Sequence, residues 1–421
     1  MRKYFMLVLA LALLASGCSN PGNPFFNVQV LNVTPTSATI ARGQTLQLTA
    51  TGNLFQDGVQ DVTNSVEWAT GSVNVATVSS TGLVTGTGQG TINIRARLNG
   101  REAFCEVTVV SAVTALSVDP DGSFLRVGTT ERLTATATFD DRAVLDISDQ
   151  VEWSTADATV ATVNDVGAVT AVGVGQTTIT AVSENGTTAQ ATVNVFDVTI
   201  FSAGGANAAA IQPTVDSFRA ALGPLNPNTA QVFPTGRREI NWDGVPAAQT
   251  NTNAFPANFF NVNSPRGVIF ATNGSGFRVS DNAYGDVNAT YPTQFQAFSP
   301  VKLFATLGAS RFDTEFFLPN TNTPAVSSAF GAVFCDPDRN TSSIIFVLPD
   351  GSTFTPTVTA LPGSRGLAFL GVQFQGASCR EVTLVTGEAP LSGANNDVTN
   401  GGANDMVVVD DFIYAEPQPA R

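Results

Sequence analysis

Three oxygen-bearing side chains stand at alternate positions in Asp336-Pro337-Asp338-Arg339-Asn340, the spacing with which the start of a calcium loop presents its ligands. An EF-hand also needs Gly at its sixth place and Glu at its twelfth. Here those places hold Thr341 and Val347, which excludes that motif. What remains is either a looser site for a structural calcium ion, in which this loop joins Asp410 or Asp411, or a set of solvated turn residues. A second chemistry is sugar recognition, which asks for aromatic faces beside amide or carboxylate groups; Trp242, Tyr284 and Tyr291 lie among Asn and Asp. Hydrolysis of a sugar polymer needs two carboxylates about 5 to 9 Å apart. Glu239, Asp243, Asp313 and Glu315 are available, and their spacing prefers no pair. The chain contains no histidine, so Ser-His-Asp, Cys-His and His-zinc chemistry are all excluded.

The elements that must hold such groups are strands. The 421 residues are 43% hydrophobic and only 13% charged, and the composition suits short strands and turns better than long helices. An all-β chain of roughly three domains follows. The net charge of −14 argues against nucleic acid as a partner, because phosphate contacts need clustered cations.

Arg2 and Lys3 precede an apolar run from Phe5 to Leu14, which is too short to span a ~30 Å hydrocarbon core but right for a secretory signal. The following Leu14-Ala15-Ser16-Gly17-Cys18 resembles the bacterial lipobox, with Ala15 where Leu is commoner. The resemblance implies that residues 1–17 are a lipoprotein signal peptide and that Cys18 is acylated, anchoring the chain to a membrane through its N-terminal lipid. With Ser19 next, the same logic implies the outer membrane or cell surface. The other reading is an ordinary signal peptide cleaved near Gly17. Residues 18–27, with Pro21, Gly22 and Pro24, read as a tether.

Sliding the sequence by 85 positions aligns it with itself: Pro35 meets Pro120, Val66-Glu67-Trp68 meets Val151-Glu152-Trp153, and Val75-Ala76-Thr77-Val78 meets Val160-Ala161-Thr162-Val163. Within each copy apolar residues alternate, as in Leu46, Leu48, Ala50 and Ile92, Ile94, Ala96, which is the pattern of an antiparallel sandwich. The order Pro35, Gly43 to Ala50, Val66-Glu67-Trp68, Val75 to Val78, Gly82 to Gly86 and Val107-Thr108-Val109 resembles the bacterial immunoglobulin-like group 2 domain of intimin- and invasin-type adhesins. That resemblance implies two immunoglobulin-like sandwiches, 28–110 and 113–198, used as spacers. Trp68 and Trp153 follow a strand pattern and read as core residues. Gly86-Thr87-Gly88-Gln89-Gly90 leads into a strand rather than a helix, so it is a turn and not a phosphate loop. Ser111-Ala112 is barely a linker, which favours an extended rod.

From about Phe201 the character changes, with 21 of the 29 Phe lying beyond that point. Residues 201–421 read as a larger jelly-roll-like β-sandwich. Gly204-Gly205 reads as a linker, and Pro213 to Gly223 as one helix with Val215, Phe218 and Leu222 on a face. An exported chain meets an oxidising compartment, so Cys335 and Cys379 are the natural disulfide pair, while Cys105 reads as a buried small hydrophobe. Gly236 to Pro246 and Asp410 to Tyr414 are similar to an uncharacterised secreted bacterial domain, and no activity comes with that similarity. The expectation for the whole chain is a lipid-anchored, non-enzymatic envelope protein whose stalk presents a surface for adhesion or glycan recognition. A carboxylate-dependent glycoside hydrolase or lyase on a stalk, and a purely structural envelope protein, are the alternatives.

Overall fold

The computed structural model describes residues 28–54, 58–363 and 365–420. The signal segment, the tether and Cys18 lie outside the described residues. Contacts divide the chain into two units, one built on the first repeat and the other on the second repeat together with everything after it.

In the first repeat, strands Val28–Thr34, Thr49–Leu54 and Gly58–Asp61 form one sheet, and Ser37–Ala41, Arg101–Val110, Gly90–Leu98 and Glu67–Thr70 form another. The period-two pattern sends Ala50, Ile94, Ala96, Cys105 and Val107 into the core between them, all fully buried. Cys105 is therefore a core residue, as expected. Trp68 packs against the same core and donates Nε1–H to the Thr63 carbonyl at 2.9 Å. Its ring lies so close to Gly82 that an added Cβ would meet it at 3.0 Å and the Leu48 carbonyl at 2.7 Å. Gly82 also has φ +81°, so the site demands glycine twice over. The second repeat copies these details 85 positions on, with Trp153 bonded to Ser148 at 2.7 Å and Gly167 at φ +79° against the Trp153 ring.

The second repeat ends in an 18-residue strand, Thr188–Gly205, about 60 Å of continuous chain. Its first part pairs with Gly175–Val182 and Ser123–Arg126, as the closing strand of the immunoglobulin-like sandwich. Its second part, Asp197 to Gly205, pairs with Leu367–Gln375 of the C-terminal domain. The expected boundary at 198–201 and the Gly204-Gly205 linker are thus replaced by one uninterrupted strand. The two glycines serve packing: a Cβ on Gly205 would lie 2.3 Å from the Ala210 side chain, and one on Gly204 would lie 3.1 Å from Leu361.

From that shared strand the sheet continues through Leu367–Gln375, Ala329–Cys335, Val408–Ala415, Leu303–Leu307 and Gly276–Ser280. A second sheet, Val268–Ala271, Arg311–Phe316, Glu381–Val385, Ser343–Val347 and Thr353–Phe354, packs against one face of it. Helix α1, Ala208–Leu222, covers the other face with Ile211, Val215, Phe218 and Leu222. The helix begins five residues before the expected Pro213, because Asn207 caps it by accepting the Ala210 N–H at 3.2 Å. Strands covered on both faces are buried throughout: in Ala329–Cys335, Phe330 and Phe334 face the second sheet while Val333 and Cys335 face the helix side. The fold is all-β as expected, with α1 and the one-turn helices Phe259–Val262 and Tyr291–Gln294 added to the sandwich.

Cys335 and Cys379 are both buried free thiols, so the expected disulfide is absent. Cys379 bridges to Ser327, eight positions before Cys335 on the same stretch. Ser327 and Cys335 are about 26 Å apart along extended chain, and Cys379 lies in the core between the sheets whereas Cys335 lies on the helix side, so the two cannot meet the ~7 Å Cα limit of a disulfide.

Candidate functional site

Where the second repeat meets the C-terminal sandwich, an open cleft of about 1000 Å³ is lined by Phe124, Gln176 and Asn194 on one side and by Asp350, Phe374 and Ser378 on the other. Its walls are tied together. Across the cleft the Phe124 N–H donates to Asp350 Oδ2 at 3.1 Å and Phe196 of the shared strand packs on Phe374 with ring centroids 5.8 Å apart, while within one wall Gln176 Nε2 donates to Asn194 Oδ1 at 2.8 Å. Amides, a carboxylate and aromatic edges held on a rigid frame are the groups that recognise a polyhydroxylated chain. None of these residues stands out in the sequence, because they come from strands and turns that only the fold brings together.

The aromatic residues expected to stack on sugar do not line it. Trp242 lies stacked on Phe304 at 4.0 Å, with Phe255, Phe260, Phe270 and Phe412 around it, and is 1% exposed. Tyr284 and Tyr291 are fully buried beside Phe295. Burial pushes the Tyr284 hydroxyl well above the usual range. The platform reading is corrected: in a domain this rich in Phe, the remaining aromatics are drawn into the same core.

The candidate carboxylates for hydrolysis have other work. Glu239 is held by Arg219 at 2.9 Å and Arg237 at 2.6 Å. Asp243 accepts the backbone N–H groups of Val301 and Lys302 at 2.8 and 3.1 Å. Asp313 and Glu315 do share a face of their strand, where Glu315 stands opposite Glu381. Burial, then the charges of Asp313 and Glu315, raise the Glu381 pKa. This patch lies on the outward face of the second sheet, and Asp313 accepts a hydrogen bond from Thr383 at 2.5 Å.

The carboxylates of the Asp336 loop do converge, but with a different partner. Asp336, Asp338 and Asp397 are all buried and offer oxygens within 4.8 Å of one another. Asp336 Oδ1 accepts the Arg365 N–H at 2.9 Å and Asp338 Oδ1 accepts the Gly363 N–H at 2.7 Å, while both Oδ2 atoms have no protein partner. Burial first, and then the neighbouring carboxylates, push Asp336 up to about 8; burial likewise pushes Asp338 up to about 6. Asp405 fastens the loop by accepting from the N–H groups of Asp338 and Arg339 and from Thr341 Oγ1.

Asn340, expected among the ligands, is exposed. Asp410 and Asp411, expected to close the site, are engaged elsewhere. Asp410 accepts the N–H groups of Phe298 and Ser299 at 2.6 and 3.1 Å, and Asp411 accepts Ser299 Oγ at 2.7 Å and Arg219 at 3.2 Å. Asp397 was not legible because it sits in a Gly- and Asn-rich loop, some sixty positions from Asp336, with no motif around it.

With two matching sandwiches and a third β-domain in place, the class is that of a tandem immunoglobulin-like chain. The bacterial Ig-like domain (group 2) family matches residues 27–103 and 112–195, so this chain carries two such domains. It is 36% identical over 174 residues to Ice-binding protein 1 of Shewanella frigidimarina, a match that covers 40% of this chain and 20% of that protein. Among solved structures, it is similar to the C-terminal fragment of intimin in complex with the intimin-binding domain of its translocated receptor, at 19% identity and a TM-score of 0.26, covering 41% of this chain and 66% of that one. It is also similar to invasin, a bacterial integrin-binding protein, at 12% identity and a TM-score of 0.28, covering 84% of this chain and 60% of that one. This chain therefore spans less than two thirds of the length of each of these three.

Proposed function

We propose that this chain is a cell-surface binding protein in which two immunoglobulin-like domains act as a spacer and the C-terminal sandwich, with the cleft at its base, recognises an envelope or surface polysaccharide without breaking its bonds. The observation that carries this reading is the strand Thr188–Gly205, which belongs to two sheets at once. A shared strand leaves no hinge, so a load or a bound chain on the C-terminal domain is transmitted directly into the second immunoglobulin-like domain. A rigid joint of this kind suits the presentation of a binding surface. Cys18, acylated, holds the other end to the membrane in this reading.

The test is binding of the purified chain to insoluble and arrayed surface polysaccharides, with the Ser378→Arg variant placing a long side chain in the cleft. Retention by a polysaccharide, lost in that variant while its melting temperature is kept, supports the reading. Retention unaffected by the variant removes the cleft from it, and release of reducing ends removes the non-enzymatic part. Because of the relative named for ice binding, growing ice is included as a ligand, and retention there alone replaces polysaccharide with ice. Mass spectrometry of the envelope-associated chain tests the lipid, with Cys18→Ser expected to free the chain from the membrane.

A further inference from the structure

At the far end of the strand Ala329–Cys335 from the cleft, three chain segments with little sheet pairing meet: the loop after Cys335, the loop around the turn Val398–Asn400, and the short helix Tyr291–Gln294. They bring Asp336, Asp338 and Asp397 together out of water. Buried carboxylates are compensated by protons, hydrogen-bond donors, cationic side chains or a metal; Asp397 accepts from Thr399 and the Met406 N–H, whereas Asp336 Oδ2 and Asp338 Oδ2 have no donor. Cationic side chains do not supply the answer. The charges acting most strongly on Asp336 and Asp338 are other carboxylates, and Arg339 in the same loop is engaged by Glu388 at 2.6 Å.

A second observation comes from outside the acidic cluster. Gln294 is fully buried, its side-chain amide lies beside the Asp336 carboxylate, and its Nε2 has no protein partner. The Oδ2 atoms of Asp336 and Asp338 are likewise buried without a protein partner. The separation also fits a cation. Oxygens about 2.4 Å from one calcium ion can stand at most about 4.8 Å apart, which is the span of the three carboxylates.

We propose that Asp336, Asp338 and Asp397 form a calcium site that pins the loop after Cys335 to the loop around Val398–Asn400, beside the helix Tyr291–Gln294, at the distal end of the C-terminal sandwich. The ligands are all hard oxygens, with neither imidazole nor thiolate among them, which favours calcium over zinc. Three loop-borne carboxylates suit the irregular shell of calcium better than the strict octahedron of magnesium. The proposal stands apart from the cleft, and either can fail without the other.

The experiment uses the full chain, stripped with EDTA and titrated with calcium by calorimetry, with terbium luminescence as a second reading. One calcium per chain is expected, with a melting temperature raised by about 5 °C at saturating calcium. Asp397→Asn should weaken calcium binding by about 30-fold or more, while Glu315→Gln on the outward acidic patch leaves it unchanged. If Asp397→Asn does not fold, Asp338→Asn gives the same reading, and terbium binding displaced by calcium needs no variant. Absence of calcium binding by the native chain overturns the proposal, as does binding that survives both Asp→Asn changes. So does an Asp397→Asn chain that melts higher in EDTA than the native chain does in calcium, since that would make the cluster a proton store.

Discussion

Replacing Phe196 by Ala tests whether the second immunoglobulin-like domain and the C-terminal sandwich are one cooperative body. Phe196 lies on the shared strand, is 3% exposed, and belongs to the core of the C-terminal domain although its strand closes the sandwich before it. Truncating a buried Phe costs about 3–5 kcal/mol in lost transfer energy and cavity formation. The unit that contains it has about 290 residues, so its unfolding entropy is about 0.6 kcal/mol per degree and the melting temperature should fall by about 5–8 °C. Calorimetry of the native chain should show two transitions, and the variant should lower the larger one as a whole while the smaller one, from the first immunoglobulin-like domain, stays in place. Three transitions in the native chain would refute the reasoning. So would a loss confined to a small transition of immunoglobulin size.

Gly82→Ala and Gly167→Ala should each destabilise their own domain by more than 1 kcal/mol, because each residue has positive φ and lies against a Trp ring and a carbonyl; urea melts followed by Trp fluorescence would show it, and neutrality would remove the packing argument. Glu416 forms a two-point ion pair with Arg238 at 2.5 and 2.7 Å with both side chains buried, so Glu416→Ala should cost about 3–5 kcal/mol by leaving the guanidinium unpaired. A melting temperature within a degree or two of the native value would contradict that. Burial raises Asp411 to about 6, above its unfolded value, so its protonated form is the one favoured by folding. The resulting stability is complete below about pH 3.9 and lost as pH rises through about 6, which gives on the order of 1 kcal/mol more stability at pH 5 than at pH 7. Asp411→Asn should flatten that dependence in thermal melts, and an unchanged slope would assign it to other groups. Dithiothreitol should leave the melting temperature unchanged, and denatured chain should titrate Cys335 and Cys379 as free thiols.

Much of the architecture was readable from residue order alone. Alternating apolar residues, the paired Trp and Gly positions and the 85-residue offset define the two sandwiches because strand burial has a period of two and each repeat satisfies it by itself. The Phe-rich second half announced a separate core for the same reason. The Asp336–Asp338 pair was visible because its ligand spacing is local.

Three matters were decided by tertiary structure. A strand can change partners without any mark in its own sequence, so Gly204-Gly205 read as a linker although both residues pair with Leu367–Gln375. Aromatic residues carry no label for inside or outside, so Trp242, Tyr284 and Tyr291 entered the core once the surrounding Phe rings were assembled. The third carboxylate of the acidic cluster was Asp397 rather than Asp410 or Asp411, because proximity between loops depends on where strands end in space. Local periodicity is written in neighbouring residues, whereas the meeting of distant segments is fixed only by the packing of the whole sheet.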